Sequence, residues 1–243
     1  MNENQFKKEI LIIRNVPREN PGLLLEAIRE AGIKYVITDA ENLTEISSPE
    51  SYGAVVVLGG PASANDKTDL IEYEISFIRK VLDSGIPYLG ICLGLQLLVK
   101  AAGGMVVKSP VKEAGFRAPE GSKFSVNLTG IGRVEKLFEA LNDSLTVFQL
   151  HGETVVLNDT MELLATGEFC MNQVVRIGTN KYGIQCHFEL DDELFDVWVK
   201  EDPDLLELNE DILKADYLAI RDEYQFTGRT LCNNFLKIAG YLP

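Results

Sequence analysis

Apolar residues in the first hundred positions fall into short unbroken runs, separated by stretches with helical spacing. Glu9–Arg14 (EILIIR) reads as a short buried strand, and Lys34–Thr38, Ala54–Leu58 and Pro87–Ile91 read likewise. Between them, Leu23, Leu24, Leu25, Ile28 and Ala31 line one helix face. Asn20-Pro21 offers a cap residue and a first-turn proline for that helix, and Gly32 a stop. Asp69–Leu82 places Leu70, Ile71, Ile75, Ile78 and Val81 near helical spacing and ends before Gly85, and Leu95–Ala102 reads as a short helix. Strands that are apolar throughout, alternating with helices, predict a parallel sheet covered on both faces.

From about Met105 the pattern changes. Lys123–Leu128, Leu145–Leu150, Leu163–Thr166 and Val174–Ile177 read as short strands with turns between them, which fit antiparallel additions to the sheet. From Asp191 the chain reads as helical again, through Leu194–Val199 and a longer stretch around Leu213–Ile238. Trp198 is expected to pack a C-terminal helix onto the body. No repeat or low-complexity linker divides the chain. It therefore reads as one α/β domain over 1–243, with a core of about 8–190 and a helical extension of about 191–243.

Charge narrows the partners. Lys and Arg number 23 against 37 Asp and Glu, a net charge of −14, so nucleic acid and anionic membrane are not expected to bind. The excess concentrates between Asp191 and Asp211, where the only base is Lys200. That stretch reads as solvated helix faces, or else as a docking surface for a basic partner. No apolar run approaches the roughly 20 residues of a membrane helix. The polar start Met1–Gln5 gives no sign of a signal peptide. Cys92, Cys170, Cys186 and Cys232 form no C-x-x-C pair, which suggests a reducing cytoplasm, and the last three read as packing residues. With His151 and His187 as the only histidines, no His-rich metal site is expected.

Three segments carry chemistry. Gly90-Ile91-Cys92-Leu93-Gly94 is a G-x-C-x-G at the end of a predicted strand. A nucleophile there sits on a tight turn that crowds the positions two residues away, where glycines stand. The turn also sets the sulfur at a helix N-terminus, whose dipole favours thiolate. Gly183–Glu189 reads as a strand ending in His-x-Glu. Residues i and i+2 of an extended chain share a side, so Glu189 can hold the His187 imidazole in the tautomer that accepts a thiol proton. Leu58-Gly59-Gly60-Pro61 follows a buried strand, and its amides, with the N–H of Leu93, could face an oxyanion beside Cys92. A phosphate loop is disfavoured, because neither G-K-[ST] nor G-x-G-x-x-G occurs.

Taken together and in this order, these segments resemble the class I, triad-type glutamine amidotransferase family, and most closely the glutaminase domain of GMP synthase and its free-standing relatives. His151-Gly152-Glu153-Thr154-Val155 adds a fourth match, and the likeness spans about Ile10 to Glu189. The resemblance implies a flavodoxin-like three-layer sandwich with a small additional antiparallel sheet, and a reaction that needs no cofactor. It implies Cys92 as nucleophile, His187 as acid and base, Glu189 as its orienting group, and Gly60 and Leu93 as oxyanion-hole amides. Gln96, His151, Gly152 and Glu153 would lie on the substrate side. The sequence departs from the family where Phe188 stands in place of a frequent proline, and where Glu153 stands in place of a frequent aspartate. Three functions are compatible with these residues: a glutaminase passing ammonia to a separate synthetase, an independent γ-glutamyl peptide hydrolase, and a non-catalytic protein on the same scaffold.

Overall fold

The computed structural model of the chain describes residues 7–46, 48–118 and 120–243; the polar start Met1–Gln5 lies outside the described residues. Strands β1 (Ile10–Arg14), β2 (Tyr35–Asp39), β3 (Ala54–Val57), β4 (Tyr88–Ile91) and β11 (Lys181–Ile184) pair in parallel, in the order β2-β1-β3-β4-β11. The sheet continues antiparallel through β10 (Val174–Ile177), β9 (Met161–Gly167), β6 (Ser125–Leu128) and β7 (Ser144–Thr146). The parallel half is apolar on both faces because both are covered. Ile10, Ile12, Val56 and Leu89 pack under α1 (Leu23–Glu30) and α6 (Glu210–Ile238). Leu11, Ile13, Val55 and Val57 pack under α2 (Asp69–Asp83) and α3 (Leu93–Ala101). A separate antiparallel pair, β5 (Met105–Gly115) and β8 (Gln149–Val156), packs beside α3.

Three local expectations are corrected by tertiary contacts. Leu145–Leu150 is not one strand. Thr146 ends β7 on the large sheet, Val147 and Phe148 are buried in the crossing, and Gln149 begins β8 in the other sheet. The first helix starts at Leu23 rather than at Asn20-Pro21. Gly22 is its cap at φ 48°, and a Cβ there would stand 2.0 Å from the carbonyl oxygen of Glu189. The strand expected to end in His187-Phe188-Glu189 stops at Ile184, and His187 is held instead by an isolated bridge to Phe148. Strand β5 gave no apolar run to read, because it carries lysines and Pro110 and changes register between Lys108 and Glu113.

The C-terminal extension is integral to the body. Trp198, on α4 (Asp192–Glu201), is fully buried with Phe148, Phe195, Tyr217 and Tyr224 in a cluster joining α4 and α6 to the loop that precedes β8. A four-residue helix, α5 (Pro203–Leu206), links α4 towards α6.

One buried charge has consequences for stability. Glu74 on α2 is 1% exposed, and neither carboxylate oxygen has a hydrogen-bond partner. Burial pushes its pKa from 4.5 to about 7. The folded state therefore holds a proton that the unfolded state releases near pH 4.5. Stability falls as pH rises from about 4.5 to 7, by roughly 3 kcal/mol for this group alone. Glu74→Gln is expected to raise the thermal midpoint at pH 8 and to change it much less at pH 5. Equal shifts at the two pH values, measured by calorimetry, would assign the effect to packing instead of ionisation.

Candidate active site

Cys92 is the hinge between β4 and α3. It takes φ 50° and ψ −105°, a backbone region that side chains rarely adopt, and it caps the helix that begins at Leu93. The two flanking glycines make the turn sterically feasible. A Cβ on Gly90 would stand 2.4 Å from the Gly94 carbonyl, and one on Gly94 would stand 2.2 Å from the Val57 carbonyl oxygen. The sulfur is 3.7 Å from the Leu150 carbonyl and accepts from Gln185 Nε2 at 3.6 Å. Leu93 is the first residue of α3, where backbone N–H groups lack an intrahelical acceptor. Gly60 packs across from it, since a Cβ on Gly60 would meet Leu93 Cδ2 at 3.3 Å.

His187 and Glu189 meet although both lie beyond the strand. His187 Nδ1 donates to Glu189 Oε1 at 2.6 Å, and both side chains are at most 3% exposed. The second carboxylate oxygen accepts from the Phe188 backbone N–H at 3.0 Å, a bond that a proline at 188 could not make. The imidazole is fixed from three further directions: the Trp198 ring meets it edge-on with centroids 4.8 Å apart, Tyr224 Oη donates to the His187 carbonyl at 2.8 Å, and the His187 N–H donates to Phe148. Burial opposes a charged His187, but the Glu189 carboxylate and the neighbouring Cys92 sulfur outweigh it and hold the pKa well above the ordinary histidine range. Nε2 is buried without a hydrogen-bond partner, while the Cys92 sulfur is near enough to raise the imidazole pKa. A Cβ on Gly59 would be 3.4 Å from His187 Cε1 and 3.5 Å from Cys92 Cβ, so both groups border that glycine. Ring and sulfur are thus the pair between which a proton can pass.

A cavity of about 220 Å3 opens over this pair, lined by Cys92, His187, Gly60, Leu150, Glu19 and Asp202 among others. Larger depressions of about 410 and 940 Å3 lie elsewhere, and neither is lined by a cysteine or a histidine. The loop after Pro61 is tied down at its middle, because Lys100 Nζ donates to Ala64 O at 2.6 Å and Asn65 Nδ2 donates to Val106 O at 2.9 Å.

The other candidate residues are placed unevenly. Gln96 is buried and reaches the sulfur through a relay, donating to Gln185 Oε1 at 3.3 Å. His151 faces a different network: Nε2 is 3.0 Å from Glu113 and Nδ1 is 3.1 Å from the Glu153 carbonyl. Glu113, His151 and the Cys170 sulfur bring their donor atoms within 4.8 Å of one another, the one group among the described residues that could converge on a metal. All three are buried and already hydrogen-bonded, Cys170 to Thr154 at 3.1 Å, so the cluster is satisfied as an internal polar network. Gly152 and Glu153 border that network and do not line the cavity over Cys92. Gln185, Tyr224 and Glu19 escaped the sequence reading. Only Gln185, two residues before His187, carried a positional hint.

The family model for glutamine amidotransferase class-I matches residues 19–198. The glutamine amidotransferase-like protein YfeJ of Salmonella typhimurium is 32% identical over 145 residues, which is 58% of this chain and 58% of YfeJ. A glutamine-hydrolysing GMP synthase of Macrococcus caseolyticus is 26% identical over 191 residues, 77% of this chain and 34% of that protein. This chain thus spans just over half of one relative and about a third of the other. The crystal structure of a glutamine amidotransferase from Thermotoga maritima superposes with a TM-score of 0.82 at 26% identity, covering 95% of this chain and 98% of that one. A glutamine amido transferase from Methylobacillus flagellatus, 20% identical with a TM-score of 0.78 and covering 96% and 95%, shares the fold.

Proposed function

From the premise that this chain belongs to the class I glutamine amidotransferase family, we propose that it hydrolyses the side-chain amide of glutamine and supplies the ammonia to a separate synthetase. The observation that carries this reading is the meeting of Cys92 and His187 on one cavity from two distant stretches of chain, with Glu189 hydrogen-bonded behind the imidazole. His187 Nε2 takes the Cys92 proton, and the sulfur attacks the amide carbon. The oxyanion that forms is met by the backbone N–H groups of Gly60 and Leu93. His187 gives its proton to the departing nitrogen, ammonia leaves, and a γ-glutamyl thioester remains on Cys92. His187 then activates a water that releases glutamate. Glu189 keeps Nδ1 protonated and stabilises the imidazolium, so that Nε2 does the proton transfer.

In this reading Gln96 acts on the substrate side through Gln185, and the strand carrying His151, Gly152 and Glu153 shapes that side from behind. The chain works as one domain, with 191–243 walling the site through Trp198 and Asp202. A cytoplasmic setting agrees with four free, buried cysteines and with the absence, among the described residues, of a helix long and apolar enough to cross a membrane.

The test is incubation of the pure protein with glutamine, following glutamate and ammonia, together with labelling by a glutamine-analogue electrophile and peptide mapping. One label per chain on Cys92, blocked by glutamine, is expected. Label on another residue, or none with no ammonia formed, would reject the reading.

A further inference from the structure

Glu19 lies in the loop between β1 and α1, and its side chain lines the cavity that holds Cys92 and His187. It is 5% exposed, and among the described residues no hydrogen bond to its carboxyl group is present. One carboxyl oxygen would stand 3.3 Å from a Cβ on Gly59, the same point that lies 3.4 Å from His187 Cε1 and 3.5 Å from Cys92 Cβ. The carboxyl and the imidazole therefore both border Gly59 and face the same cavity, close enough that His187 lowers the Glu19 pKa. Of the other charges on the wall, Arg18 Nη2 pairs with Asp202 at 3.0 Å while its buried Nε has no partner, and Asp204 pairs with Lys112 at 2.5 Å. A carboxyl on the cavity wall that accepts no hydrogen bond from the protein keeps its lone pairs available to a ligand N–H.

Resting on the glutaminase reading above, we infer that Glu19 is a specificity-determining residue that accepts an N–H of the leaving nitrogen and excludes leaving groups bearing a carboxylate. When the C–N bond breaks, His187 Nε2 supplies the proton to nitrogen and the N–H facing Glu19 stays hydrogen-bonded to it. Ammonia and small uncharged amines satisfy this arrangement. An amino acid as leaving group would set its own carboxylate against Glu19 in a space where the Arg18 charge is already balanced by Asp202. Like charges within a few ångströms of each other in such a partly desolvated cavity repel strongly. Burial and neighbouring Glu189 raise the Glu19 pKa, against the lowering effect of His187, to about 7, so the repulsion is developed at pH 8.

The experiment measures kcat/KM at pH 8 for glutamine, γ-glutamylmethylamide and γ-glutamylglycine in the native protein, Glu19→Gln and Glu19→Ser. The native protein is expected to prefer glutamine and the methylamide to γ-glutamylglycine. In both variants the ratio of γ-glutamylglycine to glutamine should rise at least about 10-fold, with kcat for glutamine falling. An unmoved ratio with turnover retained would overturn this inference alone. A common rise in KM for all three substrates with the ratio fixed would place Glu19 at the substrate's α-ammonium and overturn it too. No turnover of any substrate by the native protein would overturn the glutaminase reading and this inference with it.

Discussion

Cys92→Ala is expected to abolish glutamine hydrolysis, lowering kcat by at least about 10,000-fold while leaving the thermal midpoint within a few degrees of the native protein. The sulfur forms the covalent bond in the proposed reaction, and no neighbouring group can replace it. Gln185 and the Leu150 carbonyl touch it but are not nucleophiles at this carbon. Cys186 is also close in sequence, but it is fully buried, and burial with the nearby carboxylate of Glu189 pushes its pKa well above the ordinary thiol range. It stays a thiol and cannot take over. The structural cost is small because the side chain is short, and alanine meets the same φ 50° strain that cysteine already bears. Full turnover in Cys92→Ala, measured as glutamate released, would remove cysteine chemistry from this protein.

The second large effect concerns the scaffold. Gly94→Ala puts a methyl carbon 2.2 Å from the Val57 carbonyl oxygen and 2.9 Å from its carbon. Those are backbone atoms of a central parallel strand, so they cannot step aside as a flexible side chain could. Either α3 lifts from the sheet or β3 shifts, and both carry the geometry around Cys92 with them. The expected loss is at least about 3 kcal/mol, a fall in thermal midpoint of about 6–12 °C. Glutaminase activity should fall even at temperatures where the variant is folded. Gly130→Ala is the control, since nothing lies within 4 Å of its added carbon. A Gly94→Ala protein that melts with the native one would show that the elbow does not need its second glycine.

The candidate catalytic groups were legible because each sits on a local pattern with its own physical demand. A strand running into a helix through a cysteine requires glycines two residues either side, and that requirement is visible as G-x-C-x-G. His-x-Glu was legible as a pair, although for a reason that did not hold. The residues meet beyond the end of β11, and the Phe188 N–H and Trp198 do the fixing that an extended strand was expected to do. Phe188 looked like a mere departure from the frequent proline. In the fold its N–H is a hydrogen-bond donor to the very carboxylate that orients the histidine.

By itself, the sequence determined the parallel half of the sheet, since strands covered on both faces must be apolar throughout and that leaves a run in one dimension. It also determined which cysteine lies at a strand-to-helix turn. Tertiary structure alone decided the rest. The residues 145–150 divide between two sheets because pairing partners, not the local pattern, choose the sheet. Glu19 reaches the cavity from a loop far from Cys92 in sequence, and His151 turns to Glu113 although it lies one residue from Leu150, which touches the sulfur. Burial and direction of a polar side chain depend on what long-range packing places around it. A local pattern carries period and turn chemistry, but it does not carry neighbours.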